Sequence, residues 1–120
     1  VEVLLGVALR RADVVVAGYA SGGSVAAAAG LRRPDVFGGV LGLSVGVPPE
    51  GERPEGELPR FRVAAGALEP AFLRASSQTV DLVSGWGGDA TLRTYQAGHD
   101  FVMWEMAAAA LAPELLPISR

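Results

Sequence analysis

The chain has 120 residues, 50% of them hydrophobic and 19% charged, with a formal net charge of -3. That describes one globular domain at most and excludes a disordered chain; no basic stripe is available to neutralise the phosphates of a nucleic acid. With no cysteine and one histidine, His99, disulfides, thiolate catalysis and Cys- or multi-His zinc sites are excluded, and neither a metal nor a cofactor is expected.

Val1 to Arg11 is apolar with a basic end and reads as the tail of a helix. The chain starts at Val1 without a basic leader or cleavage site, an abrupt start of the kind a processed chain or a fragment has. Val14 to Gly18 is a β-branched run closed by a glycine, the pattern of a strand buried on both faces. Ser21-Gly22-Gly23 follows, and the alanine-rich stretch Val25 to Leu31 favours a helix that Pro34 stops. Phe37 to Val47 reads as a second buried strand. Pro48 to Pro59, with Glu50, Glu52, Glu55 and Glu57, reads as a solvated loop. Arg60 to Gly66 is a third strand, and Pro70 to Ser84 is a helix with proline in its tolerant first turn. Gly85 to Asp89 is a turn, Ala90 to Tyr95 a fourth strand, and Asp100 to Leu116 a helix that Asp100 can cap.

Strands alternating with helices predict an α/β fold: about four parallel strands with helices packed on the faces of the sheet. The expected organisation is a single partial domain over residues 1–120. No apolar run reaches the roughly 18 residues of a membrane span. The stretch from Met103 to Leu116 is interrupted by Glu105, Pro113 and Glu114. No membrane association is expected, and the cytoplasm is the expected compartment.

Three places carry chemistry. Gly18-Tyr19-Ala20-Ser21-Gly22-Gly23 joins a strand to a helix, where a nucleophile elbow of the form Gly-x-Ser-x-Gly would stand. In the frame Gly18-x-Ala20-x-Gly22 the nucleophile position holds a methyl group. Sliding by one residue gives Tyr19-x-Ser21-x-Gly23, which restores a serine but puts tyrosine where close packing wants a small residue. The same glycines also suit an ordinary strand-to-helix turn. Gly98-His99-Asp100 lies between the last strand and the last helix, where a general base would sit; a lone histidine is also commonly without a role. Glu69 follows the third strand and could hold the imidazole in one tautomer. It could equally be a solvated glutamate favoured by a helix dipole. Asp100 is a rival acid, although it adjoins His99 in sequence.

Taken together, Ala17-Gly18-Tyr19-Ala20-Ser21-Gly22-Gly23, then Ala26, then Gly30-Leu31-Arg32-Arg33-Pro34-Asp35-Val36-Phe37-Gly38, resembles the elbow and following helix of enterochelin esterases and the broader esterase D group of α/β-hydrolases. Gly66-Ala67-Leu68-Glu69-Pro70 looks like their acid loop. Gly98-His99-Asp100 with Trp104 looks like their histidine segment. The resemblance covers nearly the whole chain and implies the C-terminal half of such a hydrolase. It implies Glu69 as triad acid and His99 as general base, with Asp100 and Trp104 supporting, and it fixes the nucleophile position at Ala20, leaving Ser21 on a neighbouring position. It also implies that the family's N-terminal half, which supplies the first strands and one oxyanion N–H, has no counterpart here. The sheet edge would then be open to that half or to a second copy of the chain. The function implied is hydrolysis of a small carboxylic ester, siderophore-like by family, with a non-catalytic ligand- or partner-binding module as the alternative because of Ala20.

Overall fold

A strand forms at each of the four segments read as strands. In the computed structural model, which describes residues 10–116, β1 spans Val15–Tyr19, β2 Gly39–Leu43, β3 Arg60–Gly66 and β4 Ala90–Tyr95. The helices are α1 over Ser21–Arg32, α2 over Pro70–Gly85 and α3 over Phe101–Leu115. A single 3-10 turn at Arg11–Asp13 precedes β1; the rest of the helix tail expected over residues 1–11 lies outside the described residues. α1 starts four residues earlier than its alanine run because Ser21, Gly22 and Gly23 form its first turn. β2 is shorter than its apolar run because Ser44 turns into the left-handed region, at φ 56°.

The four strands pair in parallel in the order β1-β2-β3-β4. Among the described residues β1 has a neighbour on one side only. Side chains alternate across the sheet, as the period of a strand requires. Val40, Phe61 and Val63 face one way and pack with Ala26, Ala27 and Leu31 of α1 and Val83 of α2. Leu41, Leu43 and Ala64 face the other way and pack with Met103, Trp104, Ala107, Leu111 and Leu115 of α3. The result is a sheet between two helical layers that bury β2 on both faces, which is why β2 reads as an unbroken apolar run. β1, expected to be buried on both faces, has no fully buried residue, because among the described residues it is an outer strand with a neighbour on one side.

Phe61 is the largest fully buried side chain. Phe61→Ala leaves a cavity between the sheet and helices α1 and α2. It is expected to cost about 3–5 kcal/mol in urea unfolding.

One charge sits inside this architecture. Arg62, on the α3 face of β3, is 9% exposed. Its guanidinium donates to Glu114 Oε1 at 2.7 Å and to Asp89 Oδ1 and Oδ2 at 2.9 and 3.3 Å. It thereby ties β3 to the end of α3 and to the residue before β4, and a buried cation with two carboxylate partners is compensated. Hydrogen bonds from Arg62, set against partial desolvation and helped by the charges of Arg62 and Arg60, hold the Asp89 carboxyl below the usual aspartate range. A carboxyl whose pKa is depressed on folding contributes stability above its unfolded value and loses it as pH falls through the folded value. The acid limb of a stability-against-pH curve is therefore expected to flatten in Asp89→Asn, with lower stability near neutral pH.

Candidate functional site

The candidate residues lie just beyond the C-terminal ends of successive parallel strands. Ala20 follows β1, Ser44 follows β2, Glu69 lies three residues beyond β3 and His99 four beyond β4. Parallel sheets gather ligand-binding loops at this end.

Ala20 forms the tip of the turn between β1 and α1. Its backbone is at φ 55°, ψ -123°, a conformation that costs a non-glycine residue about 1–3 kcal/mol. The surroundings hold it there. Its N–H donates to the Leu43 carbonyl at 2.8 Å, and its carbonyl accepts from Gly23 N–H at 2.9 Å. The flanking glycines differ in what they are for. A Cβ on Gly18 would lie 2.1 Å from the Gly22 carbonyl oxygen, and one on Gly23 would lie 3.2 Å from the Leu43 carbonyl oxygen. A Cβ on Gly22 would meet nothing within 4 Å. Gly18→Ala is accordingly expected to destabilise by about 1–3 kcal/mol through overpacking, whereas Gly22→Ala should stay within about 0.5 kcal/mol; thermal unfolding of both variants checks this contrast. Ser21 is exposed on the first turn of α1, and among the described residues its hydroxyl bonds to neither His99 nor Glu69. With the Gly23 N–H taken by the Ala20 carbonyl, the N–H groups of Ser21 and Gly22 are the ones in this first turn with no helical carbonyl to bond.

Glu69 occupies the N-cap position of α2 but its side chain does not cap the helix. It is 5% exposed and turns inward. Oε1 lies 2.7 Å from His99 Nδ1. Oε2 accepts from the Ser44 hydroxyl at 2.6 Å and from the Gly66 N–H at 2.7 Å. An ionised carboxylate can only accept, so the shared proton of the Glu69–His99 pair sits on Nδ1. Nε2 then carries the lone pair and can take a proton from a substrate or nucleophile.

The two loops carrying this pair are bonded to each other. Ala67 N–H donates to the Tyr95 carbonyl at 2.7 Å and Leu68 N–H to the Ala97 carbonyl at 3.0 Å. A Cβ on Gly66 would lie 2.0 Å from the Ala97 oxygen, so glycine lets the loops cross at this distance. The imidazole is held between aromatic rings. Phe72 of α2 stacks on it with centroids 4.2 Å apart, and Trp104 of α3 meets it edge-on at 4.7 Å. Trp104 also lies 4.6 Å from Tyr19, beside the turn at Ala20, and Ala20 packs against the same apolar cluster. Trp104 thus touches both halves of the site.

Asp100, the rival acid, caps α3 by accepting from Val102 N–H at 2.7 Å. The imidazole's carboxylate partner is Glu69. Ser44 and Phe72 were not singled out by the sequence. A lone hydroxyl at the end of an apolar run that closes a parallel strand is the signal that points to Ser44; nothing in the local pattern distinguishes Phe72 from a core residue. Among the described residues no group of three His, Cys, Asp or Glu side chains could hold a metal ion, and no described helix is long and apolar enough to cross a membrane.

No protein-family model matches the chain, and no curated protein does. Solved structures do. An enterochelin esterase from Shigella flexneri is similar over 84% of this chain and 30% of its own, with 29% identity and a TM-score of 0.70. The ferric enterobactin esterase from Salmonella typhimurium is similar over 88% of this chain and 32% of its own, with 26% identity and a TM-score of 0.71. An S-formylglutathione hydrolase from Staphylococcus aureus shares the fold at 15% identity and a TM-score of 0.72, over 91% of this chain and 53% of its own. The chain therefore spans about a third of the length of the siderophore esterases it matches. The parallel sheet with flanking helices and these matches support an esterase-like α/β-hydrolase family for the chain.

Proposed function

We propose that these residues form the site of a serine-type carboxylic-ester hydrolase in which Ala20 occupies the nucleophile position, with a small-molecule ester as its ligand and the cytoplasm as its compartment. The observation that carries the reading is the bond between buried Glu69 and His99 Nδ1 at 2.7 Å, on the same end of the sheet as a strained residue at an elbow.

In this reading a hydroxyl at position 20 attacks the ester carbonyl while His99 Nε2 takes its proton. Glu69 keeps the other imidazole proton on Nδ1 and stabilises the cation. The N–H of Ser21, at the start of α1, donates to the developing oxyanion. His99 then protonates the leaving alcohol, and water releases the acyl group by the same steps in reverse. Ala20 supplies no oxygen for the first bond, so the chain as it stands binds an ester without forming an acyl-enzyme.

Ala20 also favours a second reading, in which the site binds a ligand or partner and does no chemistry. The side of β1 that has no neighbour among the described residues would serve either reading as a place for a second copy or for further hydrolase strands to pair. A chromogenic short-chain ester offered in parallel to the chain and to Ala20→Ser separates the two. Turnover in Ala20→Ser alone supports the hydrolase site. No turnover in either sinks it and leaves the binding module.

A further inference from the structure

Ser44 is wholly buried at the end of β2, at a φ of 56° that non-glycine residues adopt uncommonly. Its own N–H donates to the Ala64 carbonyl at 2.7 Å, which pins the backbone of β2's exit to β3. Its hydroxyl has two partners of opposite kind. The Trp104 indole Nε1–H donates to Ser44 Oγ at 2.7 Å, and Oγ in turn lies 2.6 Å from Glu69 Oε2. An indole N–H only donates and an ionised carboxylate only accepts. The hydroxyl has one proton, so that proton is committed to Glu69. The direction of the whole chain follows: Trp104 to Ser44, Ser44 to Glu69 Oε2, and His99 Nδ1–H to Glu69 Oε1.

We infer that Ser44 is a positioning residue for His99, acting through Glu69. Together with the Gly66 N–H, which donates to the same oxygen at 2.7 Å, the Ser44 hydroxyl fixes Oε2 and so fixes the rotation of the carboxylate. Oε1 is thereby left for His99 Nδ1. Without the hydroxyl, the carboxylate keeps one of its two anchoring donors, can rotate, and holds the imidazole tautomer less firmly. Trp104 contributes twice, as the donor that orients the Ser44 hydroxyl and as the ring packed edge-on against His99. The catalytic meaning of this role rests on the esterase reading of the site; the geometry itself does not require turnover.

His99 is the only histidine of the chain, so nitrogen NMR of its ring reports one residue without assignment ambiguity. In the chain as it stands, near neutral pH, the Nδ1–H tautomer is expected to dominate the neutral ring, with an Nδ1 proton protected from exchange. In Ser44→Ala the Nε2–H tautomer, favoured by a free imidazole, should gain population, and the Nδ1 proton should exchange faster. Ser44→Gly, which suits the left-handed backbone and lacks the hydroxyl, gives the same readout should Ser44→Ala fail to fold. Trp104→Phe, which removes the donor to Ser44, should shift the tautomers in the same direction. In an Ala20→Ser background, Ser44→Ala should lower kcat about tenfold, with KM little changed. A parent ring that is not Nδ1–H, or a folded Ser44 variant with the parent's tautomer ratio and exchange rate, overturns the inference. Absence of ester turnover in Ala20→Ser with the tautomer shift present overturns the esterase reading and leaves the role of Ser44 standing.

Discussion

Replacing Ala20 by serine is expected to raise ester hydrolysis by about 10³- to 10⁴-fold over the chain as it stands. The magnitude follows from two opposing terms. Removing the serine from an intact triad costs about 10⁶ in kcat. Restoring it here is not expected to recover all of that, because the proposed site draws one oxyanion donor, the Ser21 N–H, from the described residues, and one oxyanion donor is worth about 10² to 10³. What remains is the part due to the hydroxyl, His99 and Glu69. The backbone at position 20 is already strained, at φ 55° and ψ -123°, so the substitution adds an oxygen to an alanine Cβ without asking the chain to rearrange. Initial rates with a chromogenic short-chain ester check this, with Ala20→Ser/His99→Ala as the background. A gain that survives His99→Ala would show that the new hydroxyl works without this base.

The second large effect is a loss. In the Ala20→Ser background, Glu69→Gln is expected to return hydrolysis to the level of the parent chain, a fall of about 10³ to 10⁴, because such a substitution forces the wrong tautomer. The reason lies in the donors around the side chain. Oε2 faces two of them, the Ser44 hydroxyl and the Gly66 N–H. A glutamine placed here turns its carbonyl oxygen toward that pair and its amide NH₂ toward His99 Nδ1. Nδ1 must then accept, the ring proton moves to Nε2, and Nε2 can no longer take a proton. The fold should survive, because the two buried donors keep an acceptor. Rates and the far-ultraviolet circular dichroism of the same sample test both halves of the expectation.

The elements were legible where their boundaries are chemical. β3 and β4 run over the residues their patterns marked, Arg60 to Gly66 and Ala90 to Tyr95. Pro59 and Gly66 bracket the first, and the turn at Gly87 and Gly88 precedes the second. The start of α1 was not legible from propensity, because glycines are poor helix formers and the turn at Ala20 decides where the helix begins. The end of β2 was not legible either. It depends on Ser44 leaving the strand conformation inside an apolar run. Ala20, Glu69 and His99 stood out as candidates because each lies just past a strand, and it was the resemblance that gave them roles. The environment that joins them could not. Ser44 meets Trp104 across 60 positions and Glu69 across 25, and Phe72 reaches His99 only because α2 and the last loop pack at one end of the sheet. Whether Glu69 was a solvated helix-start residue was also open in the sequence; its burial beneath the loop from β4 answers that.

In the proposed reading Glu69 and His99 activate an oxygen at position 20, and Ala20 withholds that oxygen. A fluorophosphonate that reacts only with activated serine hydroxyls measures this most directly, with intact-protein mass spectrometry reading the adduct on the parent chain, Ala20→Ser, and Ala20→Ser/His99→Ala. One adduct per chain is expected at position 20 in Ala20→Ser, and none in the other two. An unlabelled Ala20→Ser chain that is folded, or equal labelling with and without His99, would contradict the reading.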